Sequence, residues 1–296
     1  MKKVLIIVVT YNRKELLIEC IEALLNQEYK NIEILIVDNC STDGTRDYIN
    51  SYIKNKDVVY KNTGKNIGGA GGFNFGLKEA FNHDSDYIWL MDDDCIVHSD
   101  TLTELINFAC KKKDNFGFLS SVVLWKDGSI CAMNRQKISL TKHLENFEKE
   151  TKLEYATFVS FFVRKSVVEK VGLPIKEFFI WGDDLEYSKR ISQQYDCYLV
   201  PTSKVTHKSK SNIGSNIAED NSENLDRYRY AYRNEWYLYN KLGLFARLYY
   251  FLKIRLHYHR INKSNMPDKK KRKQIIKQSI KEAKTFKPSI EYINLN

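Results

Sequence analysis

Apolar runs alternate with helical periodicities along the first third of the chain. Residues 3–9 are apolar and largely β-branched, which predicts a buried strand. Residues 14–26 have apolar residues at helical spacing, which predicts a helix. The same order recurs, with strands predicted at 32–37, 58–60 and 87–91 and helices at 45–54 and 71–81. This alternation predicts an α/β fold with a largely parallel sheet, whose loops gather at the carboxyl ends of the strands, where such sheets bind ligands.

Beyond residue 95 the pattern is less regular. It predicts strands at 116–125 and 157–163, a helix at 184–194, helical structure over 224–259 and a last basic helix opening at Lys269. We expect a catalytic domain over residues 1–215, divided into a nucleotide-binding half (1–95) and an acceptor half (96–215). Residues 216–296 are expected to form a helical, basic and aromatic extension.

Positive charge is concentrated at the C-terminal end of the sequence. The 296 residues carry a net charge of +10, but residues 241–296 hold 15 Lys or Arg and 3 Asp or Glu, so they carry +12 and residues 1–240 carry −2. A nucleic-acid groove would need its positive charge in the catalytic part, so we expect no nucleic-acid partner.

The cysteine pattern and the hydropathy of the sequence indicate the cellular compartment. Six cysteines lie far apart without a C-x-x-C pair, which predicts reduced thiols rather than a zinc site or a disulfide framework. The apolar run at residues 4–9 is too short for a secretory signal, and no apolar run of about 18 residues follows. We therefore expect a cytoplasmic protein.

Three consecutive acids end the strand predicted at 87–91. Alternation along an extended backbone sends Asp92 and Asp94 to the same side, where both can reach one hard divalent cation, while Asp93 points elsewhere. Unpaired carboxylates are costly in a core, so a functional role is favoured. A solvated turn or a helix cap is the alternative.

Residues 65–72 contain four glycines ahead of a predicted helix. Glycine allows close backbone approach and leaves amide donors free, which suits the phosphates of a nucleotide sugar. The segment lacks the Walker lysine–serine ending and the dinucleotide glycine spacing, so a flexible surface turn is the alternative.

A second acidic cluster occupies residues 181–186, which read Trp-Gly-Asp-Asp-Leu-Glu, at the start of a predicted helix. Alone it is explained by acids that complement the helix dipole. Together the two clusters can supply the metal site and the separate carboxylate base that sugar transfer with inversion needs. His207, at the exit of a predicted strand, either completes a carboxylate–carboxylate–imidazole site or is structural.

The ordered motifs resemble glycosyltransferase family 2, and most closely its bacterial galactofuranosyl- and rhamnosyltransferase branch. The resemblance spans about residues 3–240 and rests on residues 9–13, 37–45, 66–72, 91–94, 181–186 and 232–234. It implies a GT-A (Rossmann-like) fold, a nucleotide-sugar-binding mixed sheet with helices on both faces, followed by the C-terminal helical extension. The loops at Thr10 and Asp38 would then hold the uracil or thymine and the ribose. The donor-binding residues that follow from the resemblance are Thr10, Tyr11, Arg13, Asp38, Asn66, Gly68, Gly69 and Asp93.

The resemblance also assigns roles to the acids. Asp92 and Asp94 would bind Mn²⁺ or Mg²⁺ with the donor diphosphate, and galactofuranosyltransferases add a histidine that matches His207. The catalytic base aligns with Asp184, and the expected acceptor-binding residues are Trp181, Asp183 and Glu186. Galactofuranosyl enzymes place tryptophan directly before the two aspartates, whereas Gly182 intervenes here. This departure concerns the sugar that is transferred and not the type of reaction.

The resemblance implies an inverting, metal-dependent transfer of a hexose, galactofuranose or galactose, from a UDP-sugar. The group that receives the sugar would be a hydroxyl of a cell-surface glycan, and the acceptor molecule a glycan, glycolipid or glycoprotein. A dTDP-rhamnose donor is the alternative within the family. A nucleotidyltransferase and a non-catalytic module peripheral to the membrane are the alternatives from other classes.

The basic extension has three possible roles. Aromatic residues interleave with Lys and Arg over residues 245–287, which is typical of helices that lie on anionic membranes, here the inner face of the cell membrane. The same helices can instead form a homo-oligomer interface or pack on the core with Tyr249, Tyr250 and Phe251 buried. Truncation of residues 262–296 is the test for a membrane anchor.

Overall fold

A computed structural model describes residues 1–54, 57–221 and 224–293, and one sheet runs through the catalytic part. Within these residues its strands are β1 Val4–Thr10, β2 Ile32–Asp38, β3 Val58–Asn62, β4 Tyr87–Asp92, β5 Cys95–Val97, β6 Phe118–Trp125, β7 Thr151–Lys152, β8 Phe161–Arg164 and β9 Tyr198–His207. The strand order is β3-β2-β1-β4-β8-β6-β9-β5, and β7 pairs with β9.

The two halves of the sheet differ in strand direction. Strands β1 to β4 are parallel, as predicted for the nucleotide-binding half. Strand β8 is antiparallel to both of its neighbours, β6 and β9 are parallel, and β5 and β7 run antiparallel to β9. The sheet as a whole is therefore mixed, as the family resemblance implied.

Helices cover the sheet and form the C-terminal part of the described chain. They are α1 Lys14–Leu25, α2 Thr45–Tyr48, α3 Asn50–Ile53, α4 Gly68–Glu79, α5 Thr101–Lys111, α6 Lys165–Val171, α7 Asp183–Ser192, α8 Tyr228–Lys241, α9 Leu244–Lys263 and α10 Lys269–Ala283. Two predictions are corrected. The helix expected at 45–54 is broken into α2 and α3 at Ile49, and α4 begins at Gly68, so the glycines lie inside its first turns instead of ahead of it.

Alternation along β1 explains the two apolar layers. Val4, Ile6 and Val8 face the core cluster formed with α1 and α5, whereas Leu5 and Ile7 face the cluster formed with α4, α6 and α7. Because both faces of this strand are buried, its sequence is continuously apolar. The layers fix the carboxyl ends of the central strands at one edge of the sheet.

The helices α8 to α10 share an apolar cluster of their own that includes Tyr232, Tyr250, Ile254 and Ile276. Of the predicted extension, residues 222–223 and 294–296 lie outside the described residues. Among the helices that are described, none is both long and apolar enough to span a bilayer. All six cysteines are free thiols, and Cys110 is exposed.

Candidate active site

The loops that follow β1 and β2 are bonded to each other at the carboxyl edge of the sheet. Register places Thr10 opposite Asp38. The N–H of Asn12 donates to Oγ of Ser41 at 2.9 Å, and Oδ1 of Asn12 accepts from the N–H of Thr42 at 2.7 Å. Asn12 has a positive φ of 53°, which its short side chain tolerates because it bonds locally. The two loops therefore form one surface.

Asp93 holds the acidic loop to β1. Its carboxylate accepts from Oγ1 of Thr10 at 2.7 Å and from Nη1 of Arg13 at 3.2 Å, and the same nitrogen lies 2.9 Å from Oδ2 of Asp94. Burial raises the pKa of Asp93 to about 7, although Arg13 opposes the shift. Three residues expected at the donor thus contact one another and position the acids.

The remaining expected donor residues differ in accessibility. Asp38 is buried; its Oδ1 accepts from the N–H of Ser41 at 2.8 Å and its Oδ2 from the hydroxyl of Tyr60 at 2.6 Å. Tyr11 and Asn66 are exposed, and Oδ1 of Asn66 accepts from the N–H of Gly68 at 2.9 Å. Asp38 accordingly stabilises its loop through these two hydrogen bonds, while Tyr11 and Asn66 face the solvent.

Asp92, Asp94 and His207 form a cluster that could hold a metal ion, with one ligand atom from each lying within 4.8 Å of the others. The antiparallel pairing of β5 with β9 sets Cys95 opposite His207, which brings the imidazole to the acid that precedes Cys95. Nε2 of His207 lies 3.0 Å from Oδ1 of Asp94, and both side chains are buried. The imidazole and the carboxylate therefore contact each other directly within the cluster.

The charges of this cluster are tightly linked. Burial, followed by the charge of Asp94, raises the pKa of Asp92 to about 6. Burial alone would raise the pKa of Asp94, but His207 and Arg13 outweigh it and hold that pKa below its usual value. Behind the cluster, Nδ1 of His207 lies 2.8 Å from Oδ1 of Asn134, which fixes the ring orientation.

The second acidic cluster opens α7. Trp181 and Gly182 both have positive φ, 66° and 85°, and turn the chain into the helix. Oδ1 of Asp184 accepts from the N–H of Leu185 at 2.7 Å. Burial raises the pKa of Asp184 to about 6; the negative charge of Asp92 also raises it, and Lys137 lowers it. The fold therefore brings Asp184 within electrostatic reach of the first acidic cluster.

The neighbours of Asp184 have different surroundings. Asp183 is buried, and burial together with Asp184 raises its pKa well above the usual value. Both oxygens of Glu186 accept from Arg190, at 3.1 and 2.7 Å, and these bonds join two successive turns of α7. Trp181 packs against Tyr228 with ring centroids 5.2 Å apart.

Asn234 on α8 is a residue whose role the sequence did not reveal. It is fully buried, and its Nδ2 donates to the carbonyl oxygens of Phe178, Ile180 and Trp181 at 2.9, 3.1 and 2.8 Å. It thereby holds the loop of residues 176–182, named here the α7 loop. Asn234 belongs to segment 232–234, on which the family resemblance partly rests, but its residue type alone indicated no role.

Comparisons with known proteins agree with this architecture. The sequence profile described as Glycosyl transferase family 2 matches residues 5–172, more than half of the chain. The chain is 25% identical over 267 residues to galactofuranosyltransferase GlfT1 of Mycolicibacterium smegmatis, covering 80% of this chain and 83% of that protein. Over 127 residues it is 35% identical to UDP-Glc:alpha-D-GlcNAc-diphosphoundecaprenol beta-1,3-glucosyltransferase WfaP of Escherichia coli, covering 43% of this chain and 49% of that protein.

A solved structure shows the same fold at low sequence identity. GalNAc-T7, crystallised with UDP, GalNAc and Mn²⁺, superposes with a TM-score of 0.63 at 16% identity and covers 95% of this chain and 55% of that chain. The expected GT-A fold with a C-terminal helical region is thus confirmed.

Proposed function

Since the chain belongs to glycosyl transferase family 2, we propose that it transfers a hexosyl residue from a UDP-sugar to a hydroxyl of a glycan acceptor, with inversion. The observation that carries the proposal is the juxtaposition of two acidic sites: the Asp92–Asp94–His207 cluster, and Asp184 at the start of α7, whose pKa responds to Asp92. Inverting transfer needs a site for the departing diphosphate and a separate base for the acceptor.

Asp92, Asp94 and His207 are the residues that would hold a divalent cation, Mn²⁺ or Mg²⁺. Two carboxylates and one imidazole suit such an ion, and one ligand atom from each residue lies within 4.8 Å of the others. When bound, the cation neutralises the charge that develops on the diphosphate. The presence of Mn²⁺ in the GalNAc-T7 structure supports this assignment.

Asp184 is the base in this proposal. Its carboxylate takes the proton of the acceptor hydroxyl while that oxygen forms a bond to the anomeric carbon, and the bond from that carbon to the diphosphate oxygen breaks from the opposite side. A single displacement of this kind inverts the anomeric centre. With a pKa of about 6, Asp184 is mostly ionised at pH 7 and basic enough to accept a proton.

We assign the donor to the UDP-hexoses. WfaP is named for UDP-Glc, and GalNAc-T7 was crystallised with UDP. The similarity to galactofuranosyltransferase GlfT1 favours galactofuranose, with galactose next, and dTDP-rhamnose is the alternative. The name of WfaP also specifies a lipid-linked diphosphate acceptor, which supports a glycan or glycolipid acceptor here.

Product analysis with the purified chain tests the proposal. We expect UDP release from a UDP-hexose to require Mn²⁺ or Mg²⁺ and to cease in excess chelator. Asp184→Asn should lower transfer by a factor on the order of 10² to 10⁴, the contribution of a general base, while calorimetry shows unchanged UDP affinity.

Several outcomes would contradict parts of the proposal. Full activity in chelator would remove the metal assignment, and tighter binding of dTDP than of UDP would reverse the donor. Pyrophosphate as the product would indicate nucleotidyl transfer. A normal rate for Asp184→Asn together with an inactive Asp183→Asn would move the base by one residue.

A further inference from the structure

The outward face of α9 is apolar and exposed. Its side chains are 46–80% exposed, and the face consists of Leu244, Phe245, Leu248, Phe251, Leu252 and Leu256. Steps of three and four residues place Phe245, Leu248, Leu252 and Leu256 on one side of the helix. The opposite side, with Ala246, Tyr250, Ile254 and Ile261, is buried against the other C-terminal helices.

Exposed apolar side chains are usually scattered over a protein surface, whereas here they are concentrated on one helix. Within the described residues, six of the twelve exposed large apolar side chains lie on this one helix. Contiguous exposed apolar surface on a folded protein marks a contact with another molecule or with a membrane. The outward face of α9 is therefore expected to contact another molecule or a membrane.

Charge identifies the class of occupant. Helix α9 contains five basic residues and no acidic residue. Lys253 pairs with Glu235, whereas Arg247, Arg255, Arg260 and Lys263 are exposed and without a carboxylate partner in the described part of the chain. Cationic groups around an apolar helix face complement the headgroups and acyl chains of an anionic bilayer. Two copies joined through the same face would bring like charges together.

We infer that the outward face of α9 is a docking surface for an anionic lipid bilayer. The terminal helix α10 does not offer such a face, because Ile275, Ile276 and Ala283 are buried and Ile280 is partly buried against the cluster of the C-terminal helices. Arg272 is buried as well, and its guanidinium donates to the carbonyl oxygen of Asp220 at 2.8 Å. The exposed lysines of α10 can add charge, but no large apolar side chain of the described α10 is exposed beside them. The anchor therefore lies before residue 262 and not within 262–296.

The docking face connects to the catalytic part through α8. Helix α9 packs on α8, and Asn234 of α8 holds the α7 loop that precedes Asp184. Helix α8 therefore contacts both the docking helix and the α7 loop. The inference itself is independent of the proposed reaction, because lipid binding is measured without donor or acceptor.

Vesicle sedimentation with the full chain tests this inference. Vesicles of phosphatidylcholine mixed with phosphatidylglycerol should pellet the protein, those of phosphatidylcholine alone should not, and added salt should release it. The double variant Leu248→Glu and Leu252→Glu should lower the vesicle-bound fraction about tenfold. Lys277→Gln and Lys281→Gln on α10 lower the net charge by the same two units and should retain most of the binding.

A second measurement separates docking from misfolding and from self-association. All the altered side chains are exposed, so both double variants should keep the wild-type melting temperature. The fluorescence of Leu252→Trp should be quenched by lipids brominated on their acyl chains, and that of Gln278→Trp should not. Equal losses of binding in the two double variants would overturn the inference. So would a dimer that the α9 variant dissociates while vesicles bind neither form.

Discussion

Asp184 experiences opposing charges from two sides. The negative charge of Asp92 raises its pKa, and the positive charge of Lys137 lowers it. Lys137 is partly buried beside Tyr155, with Nζ 6.0 Å from the ring centroid, and burial lowers its own pKa. No carboxylate in the described residues forms an ion pair with it, so its charge is available to stabilise the ionised form of Asp184.

Removal of this charge should change the pH dependence of transfer. A general base acts only when deprotonated, so kcat/KM falls as the pH drops through the pKa of Asp184, near 6. In Lys137→Met that pKa rises, so the acid limb should move to higher pH. The rate at about pH 6.5 should drop by a factor of roughly two to ten and recover at about pH 8.

Lys253→Met is the matched control for this measurement. Lys253 is already paired with Glu235, at 2.7 Å, and the charges with the largest effect on the pKa of Asp184 do not include it. Its loss should leave the acid limb in place. An unchanged profile in Lys137→Met would show that Lys137 does not act on the base.

The sequence predicted individual site residues only where a recognisable motif and a chemical role pointed to the same position. Asp92, Asp94 and His207 were expected together, and the fold places them together. Lys137 and Asn134 lie in a segment with little periodicity, so only the tertiary structure shows that they approach Asp184 and His207. Asp93 was expected to point away from the metal side, but its bonds to Thr10 and Arg13 could not be derived from alternation.

At the scale of elements, the first turn of α4 interlocks with the α7 loop. Gly68 has a positive φ of 75°, and a Cβ there would lie 2.1 Å from the carbonyl oxygen of Phe179. That carbonyl accepts from the N–H of Ala70 at 3.1 Å, while the carbonyl of Gly68 accepts from Nδ2 of Asn39 at 2.9 Å. This glycine therefore allows close packing between residues 1–95 and residues 96–215.

Gly68→Ala should disturb both halves at once. The strained backbone and the overlap should cost about 1–3 kcal/mol, seen as a melting temperature lower by on the order of 5 °C, and transfer should fall because the α7 loop shifts. Gly69→Ala is the control, since a Cβ there meets nothing within 4 Å. Equal stability of the two variants in thermal melts would refute the interlock.

Element boundaries were predictable where burial dominated. The parallel strands fall within two residues of their predicted ends because their apolar runs are continuous. The start of α4 was wrong because glycine has low helix propensity, which close packing here overrides. The two faces of α9 were not separable, since both are apolar and no amphipathic pattern distinguishes the buried one.

At the scale of the whole molecule, the C-terminal helices and the catalytic part are joined at several points. Besides the contacts of Asn234, the carboxylate of Glu291 pairs with Lys78 of α4 and with Lys176 of the α7 loop. The carbonyl of Glu291 accepts from the N–H of Leu173 at 2.8 Å. The division at residue 215 thus separates two stretches of sequence that are extensively bonded in space.

Scanning calorimetry should accordingly show one cooperative unfolding transition. A unit that shares its packing across residue 215 unfolds together, whereas independent domains unfold separately. The calorimetric and van't Hoff enthalpies should agree. Two resolved transitions, with the first abolishing transfer, would instead support a separate extension.

The way Asn234 holds the α7 loop bears on how acceptor preference can evolve. Its bonds reach backbone carbonyls at Phe178, Ile180 and Trp181, and a carbonyl is the same whatever side chain its residue carries. The side chain at position 180 can therefore be exchanged without loss of this bond, whereas Trp181 is held in addition by its ring contact with Tyr228. Under the proposed function, substitutions at position 180 would change the surface offered to an acceptor while the backbone that leads to Asp184 stays in place.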